Sequence, residues 1–187
     1  MSRSKNPVRV ADIREGQTRR FCYEVLPRVA PRYVLHQAVA GAEVAQCFRA
    51  VEMQVRIYGG EQVVGWALWV WPKVMIEAEW HAVWRDPEGV LMDITPRPPG
   101  MRLGKIAFLL DADGRGKGEA RGNIRKNLAG GGRRALVDRY IAQAERAEVA
   151  LHRADDPEQD AVCREEQHKL LELQDALRPG HVPGGAH

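Results

Sequence analysis

The sequence predicts an α+β protein, and three observations carry that expectation. Apolar residues recur at helical spacing from Cys47 to Ile57, a stretch from Gln62 to Leu110 is rich in Val, Ile and Trp and broken by turn signals, and two amphipathic helical patterns follow Gly130-Gly131-Gly132. With 187 residues, 44% of them hydrophobic and 28% charged, the chain has the composition of one ordinary domain with an appendage. The expected division is a main domain over 1–128 with its core at 41–111, a helical hairpin over 129–178 and a disordered tail over 179–187.

Residues 19–38 read as a helical start, with Phe21, Val25 and Val29 among basic residues and Pro27 and Pro31 dividing it. From Cys47, residues Phe48, Val51 and Val55 form a helical stripe that Ala50, Met53 and Ile57 widen, and Gly59-Gly60 ends it. Gln62–Trp71 has no helical cap and reads as a strand covered on both faces, stopped by Pro72.

Val74–Trp84 alternates. Val74, Ile76, Ala78, Trp80, Ala82 and Trp84 point to the core, while Met75, Glu77, Glu79, His81 and Val83 take the other face. Asp86-Pro87-Glu88-Gly89 is a turn signal, and Val90–Ile94 returns as a strand. Pairing Trp84 with Val90 sets His81 opposite Asp93 on one face, with Cβ atoms about 4.5–5.5 Å apart. A slip of one residue would send Asp93 to the opposite face. Arg97–Gly104 is then a Pro-rich connector, Lys105–Leu110 a strand and Asp111–Gly122 a loop. Helices follow over Arg134–Arg153 and Pro157–Leu177, the second capped by Asp155 or Asp156 with Pro157 in its first turn.

The net charge of +3 hides two basic segments: Met1–Leu35 has eight Lys/Arg against three Asp/Glu, and Arg97–Arg134 has ten against three. The segment 97–134 can meet an acidic partner. No apolar run approaches the roughly 18 residues that span a bilayer, so a non-membrane, cytoplasmic protein is expected. Three widely spaced cysteines, Cys22, Cys47 and Cys163, suit a reduced compartment and a single functional thiol rather than a disulfide framework.

Cys47, His81 and Asp93 supply a nucleophile, a base and a group to orient the base. A cysteine opening a helix meets the positive end of the macrodipole, which favours the thiolate. The backbone amide of Cys47 with a donor from Gln46 is a candidate oxyanion site, and Trp66 and Glu79 are candidates to line the cleft. Taken singly, each residue has a plainer role: a buried structural cysteine, a core histidine, and a carboxylate capping a turn with Thr95. Glu77, Glu79, His81 and Asp93 also share the residue types of a metal site, although no cofactor is expected. Gly114–Gly118 is only superficially a phosphate loop, since Ser or Thr does not follow Lys117, and Asp111 and Asp113 lack the other ligands of a calcium loop.

Gln46-Cys47-Phe48, Gly59-Gly60 with Val63-Val64-Gly65-Trp66, His81-Ala82-Val83-Trp84, Gly89 and Asp93-Ile94-Thr95 together resemble, in order and spacing, the transglutaminase-like proteins of the papain-like superfamily. The likeness covers residues 41–96, and departs from the family where Ile94 stands in place of a frequent Pro and in the short interval between Cys47 and His81. It implies a nucleophile helix packed on an antiparallel sheet, and a cysteine hydrolase or acyl transferase that acts on an amide bond of a protein or peptide through a thioester. A peptidase or glutamine deamidase is preferred to a transglutaminase, and no cofactor is implied. The competing expectation is a module that keeps the fold without turnover and binds protein or nucleic acid.

Overall fold

The computed structural model describes residues 8–98, 101–112, 121–152 and 157–178. Gly114–Gly118, Asp113, the capping candidates Asp155 and Asp156, and the tail 179–187 lie outside them. The chain divides into two units, one of residues 1–71 and 76–124 and the other of residues 72–75 and 125–187. Among the described residues no helix is long and apolar enough to cross a membrane.

The first unit contains β1 (Arg9–Val10), α1 (Gly16–Val25), β2 (Arg32–His36), α2 (Cys47–Tyr58), β3 (Glu61–Trp71), β4 (Met75–Arg85), β5 (Leu91–Asp93) and β6 (Lys105–Leu110). Its strands run in the order β1-β3-β6-β2-β5-β4, and a further pairing of β3 with β4 closes five of them into a barrel. β2 is the strand that completes the ring. It pairs antiparallel with β6, Val34 facing Ile106, and parallel with β5, His36 facing Asp93.

Two expectations are corrected here. Residues 32–36 form a strand instead of continuing a divided helix, because Pro31 breaks helical hydrogen bonding and Tyr33-Val34-Leu35 favours the pleated backbone. The sheet is therefore closed and mixed, not purely antiparallel.

β3 is buried along nearly its whole length, as a strand covered on both faces must be. Gly65 is required where it crosses β6: a Cβ there would lie 2.3 Å from the Leu109 carbonyl oxygen and 2.6 Å from the Phe108 ring. The barrel interior is filled by Val34, Val63, Ala67, Trp69, Val83, Ile106 and Phe108. On the other side, α2 packs through Cys47, Ala50 and Val51 against Ala82 and Ile94. β4 is thus covered on both faces from Trp80 to Val83. Its alternation is real, but the face with His81 and Val83 looks into the barrel and not toward solvent, because α2 covers Ala82.

α2 ends at the two glycines as expected, with Gly59 at φ +78° and its amide bonded to the Val55 carbonyl, and Trp84 Nε1 bonds the Gly59 carbonyl at 3.0 Å. Its apolar stripe is narrower than its residues suggest. Val51 is fully buried, but Met53 and Ile57 are exposed, since the barrel covers only the first turns of the helix.

The second unit holds β7 (Ile124–Asn127), α3 (Arg134–His152) and α4 (Pro157–Ala176). Val137, Tyr140, Ala144 and Ala147 recur at helical spacing and are buried, while Gln143 in the same stripe bonds the Glu166 carbonyl at 2.9 Å and its carboxylate at 2.8 Å. Pro157 occupies the first turn of α4, where its missing N–H costs nothing, and Glu158 and Asp160 complement the helix dipole there.

Candidate active site

The site is assembled by three pieces of the first unit. The first turn of α2 brings Cys47, the middle of β4 brings Glu79 and His81, and the exit of β5 brings Asp93, Thr95 and Arg97. Cys47, Glu79, His81, Thr95 and Arg97, with Val44, Ala45, Pro96 and Pro98, line a pocket of about 190 Å³, so two of the expected trio face it and the third, Asp93, is held behind His81. A larger cavity of about 650 Å³ lies in the second unit, but its lining from Ala142 to Glu166 offers neither a cysteine nor a histidine.

The hairpin that aligns His81 and Asp93 has a different register from the one expected. Trp84 pairs with Met92 and Arg85 with Leu91, while Asp86 and Gly89, the latter at φ +90°, close a tighter loop. The displacement from Val90 to Met92 is two residues. An even slip keeps every side chain on its face, so Asp93 still reaches His81, diagonally instead of directly across.

His81 and Asp93 are 1% and 0% exposed, and His81 Nε2 donates to Asp93 Oδ1 at 2.9 Å. Thr95 N–H donates to the same oxygen at 3.2 Å, so the turn-capping role of Asp93 and its role toward His81 coexist. Arg97 Nη2 donates to Asp93 Oδ2 at 2.8 Å, and His36 Nε2 lies 3.9 Å from that oxygen. Burial pushes the Asp93 carboxyl up, but the hydrogen bond and charge of His81 and then Arg97 outweigh it and hold the group far below the usual carboxylate range. Burial likewise drives the His81 imidazole down, and Asp93, Cys47 and Glu79 together outweigh that and raise it to about 10. These partners therefore favour the charged form of the ring.

With Nε2 committed to Asp93, Nδ1 remains for the thiol. Nδ1 makes no hydrogen bond, and Cys47 lines the same pocket, near enough to favour the charged ring. Among the described residues, the buried side-chain polar atoms without a partner are His81 Nδ1, Thr95 Oγ1 and Arg97 Nε. All three belong to residues lining this one pocket. Unsatisfied buried polar atoms are rare in folded proteins.

The remaining candidates separate. Glu79 is in the pocket wall, its Oε2 accepting from Trp69 Nε1 at 2.5 Å and from Arg97 Nη1 at 3.5 Å. Gln46 is the residue before α2; its carbonyl accepts the first helical hydrogen bond from Ala50, but its side chain is exposed and makes no capping bond. Trp66 packs at a tilt against Trp80 with ring centroids 4.9 Å apart and lies outside the pocket lining. Trp69, not Trp66, is the tryptophan bonded into the site. Glu77 is turned to Asn123, which donates to it at 3.1 Å, and among the described residues no three His, Cys, Asp or Glu side chains gather as a metal site would require.

Sequence reasoning missed Arg97, Trp69 and His36. His36 lay in a segment read as helix, Arg97 in a connector with no periodicity, and Trp69 in a run of similar tryptophans. A buried carboxylate needs a second cation when one imidazole already pairs with it, and that requirement was the available pointer to an arginine near Asp93.

No protein-family model matches the chain, and neither a curated protein nor a solved structure matches it.

Proposed function

We propose that the protein is a transglutaminase-like cysteine hydrolase or acyl transferase of the papain-like kind, in which Cys47 attacks the carbonyl of an amide bond in a protein or peptide. The Cys47 thiolate and the His81 imidazolium form the working pair, and Asp93 keeps the ring charged and oriented. His81 gives its Nδ1 proton to the departing amine as the C–N bond breaks and the thioester forms. It then takes a proton from the incoming water or amine, which attacks the thioester and releases Cys47. Water as acceptor, hence peptidase or deamidase action, is preferred to an amine acceptor.

The observation that carries this reading is the shared pocket of Cys47 and His81, with the ring tied at 2.9 Å to a carboxylate wholly removed from water. The partnerless Thr95 Oγ1 beside the same pocket supports a role in meeting an acyl oxygen. Support for the nucleophile also comes from the helix start at Cys47.

Site-resolved alkylation tests it. Iodoacetamide at about pH 6 should label Cys47 well ahead of Cys22 and Cys163, and His81→Ala should slow Cys47 by about a hundredfold. Equal labelling of the three thiols, or selectivity that survives His81→Ala, would remove the basis for covalent catalysis.

A further inference from the structure

We infer that Arg97 is a positioning residue with two tasks: it fixes Asp93 against His81, and it holds Glu79 away from the ring nitrogen left for Cys47. The inference rests on the reading of Cys47 and His81 as nucleophile and base.

Arg97 lies four residues past Asp93, the last residue of β5, and its side chain is only 9% exposed. One arm donates to Asp93 Oδ2 at 2.8 Å and the other reaches Glu79 Oε2 at 3.5 Å. The guanidinium lies over Trp69, with Cζ 4.7 Å from the ring centroid, and the same indole donates to Glu79 Oε2 at 2.5 Å. A planar fork clamped by two carboxylates and an aromatic face has little freedom. Nη2 also lies 3.4 Å from His81 Nε2, so the cation sits beside the imidazole it orients.

Two carboxylates contend for His81. Asp93 holds Nε2, while Glu79 Oε1 stands 3.9 Å from Nδ1, just beyond hydrogen-bond length. A carboxylate so near an N–H of an imidazolium gains by closing on it. What opposes that movement is the grip of Trp69 and Arg97 on the other oxygen of Glu79. Were Glu79 to close, the ring would be bracketed by carboxylates on both nitrogens, and Cys47 would lose its proton partner. The charged or titratable groups acting on His81 are therefore Cys47, Glu79, Asp93 and Arg97, with His36 behind Asp93.

The test is the rate of Cys47 alkylation by iodoacetamide as a function of pH in the wild type, Arg97→Lys and Arg97→Met, each single variant also combined with Glu79→Gln. Either single variant should slow Cys47 by at least about tenfold near neutral pH, within the range that small misplacements cost. It should also shift the midpoint of the pH profile, which a merely structural loss would leave in place. Adding Glu79→Gln should restore at least about threefold, the coupling expected inside one hydrogen-bonded network. Lysine keeps the charge that Asp93 needs but cannot span both carboxylates, so the lysine pair decides the matter if Arg97→Met does not fold. Single variants that label like wild type across the pH range, or a slowing that Glu79→Gln does not relieve, overturn the role given to Arg97. A wild type whose Cys47 labels no faster than Cys22 overturns the nucleophile reading and this inference with it.

Discussion

The last turn of α1 and the first turn of α2 each hold a buried cysteine, Cys22 at 1% exposure and Cys47 at 7%, and their surroundings differ in kind. Around Cys22 burial acts almost alone and pushes the thiol up to about 11, which leaves on the order of one molecule in ten thousand as thiolate at neutral pH. Around Cys47 burial is shared with an imidazolium, two carboxylates and a guanidinium. Loss of water makes a cysteine inert when nothing replaces the water, and makes a charged pair stronger when fixed charges do.

The comparison breaks most visibly if Asp93 is removed. Asp93→Ala leaves the His81 imidazolium and the Arg97 guanidinium buried without the anion they share, and should cost about 3–5 kcal/mol in urea denaturation. No side chain in α1 has a comparable duty. A loss below about 1 kcal/mol would mean that water screens these charges and the site is open.

The second way to sharpen it is pH. His81 is raised from 6.5 unfolded to about 10 folded, so its contribution to stability is complete below about pH 6.5 and is lost as pH climbs toward 10. Asp93 has the opposite sign: its contribution is present above about pH 3.8 and is lost as pH falls below that value toward its depressed folded pKa. In Cys47→Ser, where no thiol gives up a proton on folding, stability should form a plateau between these limits and fall as pH rises above about 6.5. Thermal melts from about pH 6.5 to 8.5 should decline in Cys47→Ser and stay level when His81→Phe is added, whereas the wild-type pair, which moves its proton from Cys47 to His81 on folding, should stay nearly level.

The strands β3, β4 and β6, the helix from Cys47 and the face shared by His81 and Asp93 could all be read from residue patterns, because each is set by local periodicity. What could not be read depended on contacts distant in sequence. β2 needs partners more than fifty residues away on both sides, and without it neither barrel closure nor His36 was visible. Arg97 is defined by the two carboxylates it joins, and a lone arginine among prolines has no pattern to announce that. The hairpin register missed by two residues yet kept the His81–Asp93 relation, since the face of a strand is more robust than its exact pairing.

A third experiment applies one substitution to both cysteines. Serine at Cys22 puts a hydroxyl where burial dominates and should cost about 1–3 kcal/mol, whereas serine at Cys47 stands beside His81 Nδ1, gains a partner and should change stability by less than about 1 kcal/mol. Matched denaturation curves measure the difference. Equal costs at the two positions would mean that the polar surroundings of Cys47 do not reach its side chain.

The smallest effect lies at the far end of α2, where the helix has left the barrel. Val51 is fully buried between Ala82 and Ile94, so Val51→Ala removes two methyl groups from a filled space and should cost about 1–3 kcal/mol. Ile57, six residues on, is 64% exposed. Ile57→Lys gives up almost no buried area, places a better helix former in the last turn and adds a cation where the dipole favours one, so it should change stability by no more than about 0.5 kcal/mol. Urea midpoints of the two variants, read against each other, measure where along α2 the barrel stops supporting the helix. A cost at Ile57 as large as that at Val51 would show that the far end of the helix is covered, and that the support of Cys47 extends along all of α2 and not its first turns alone.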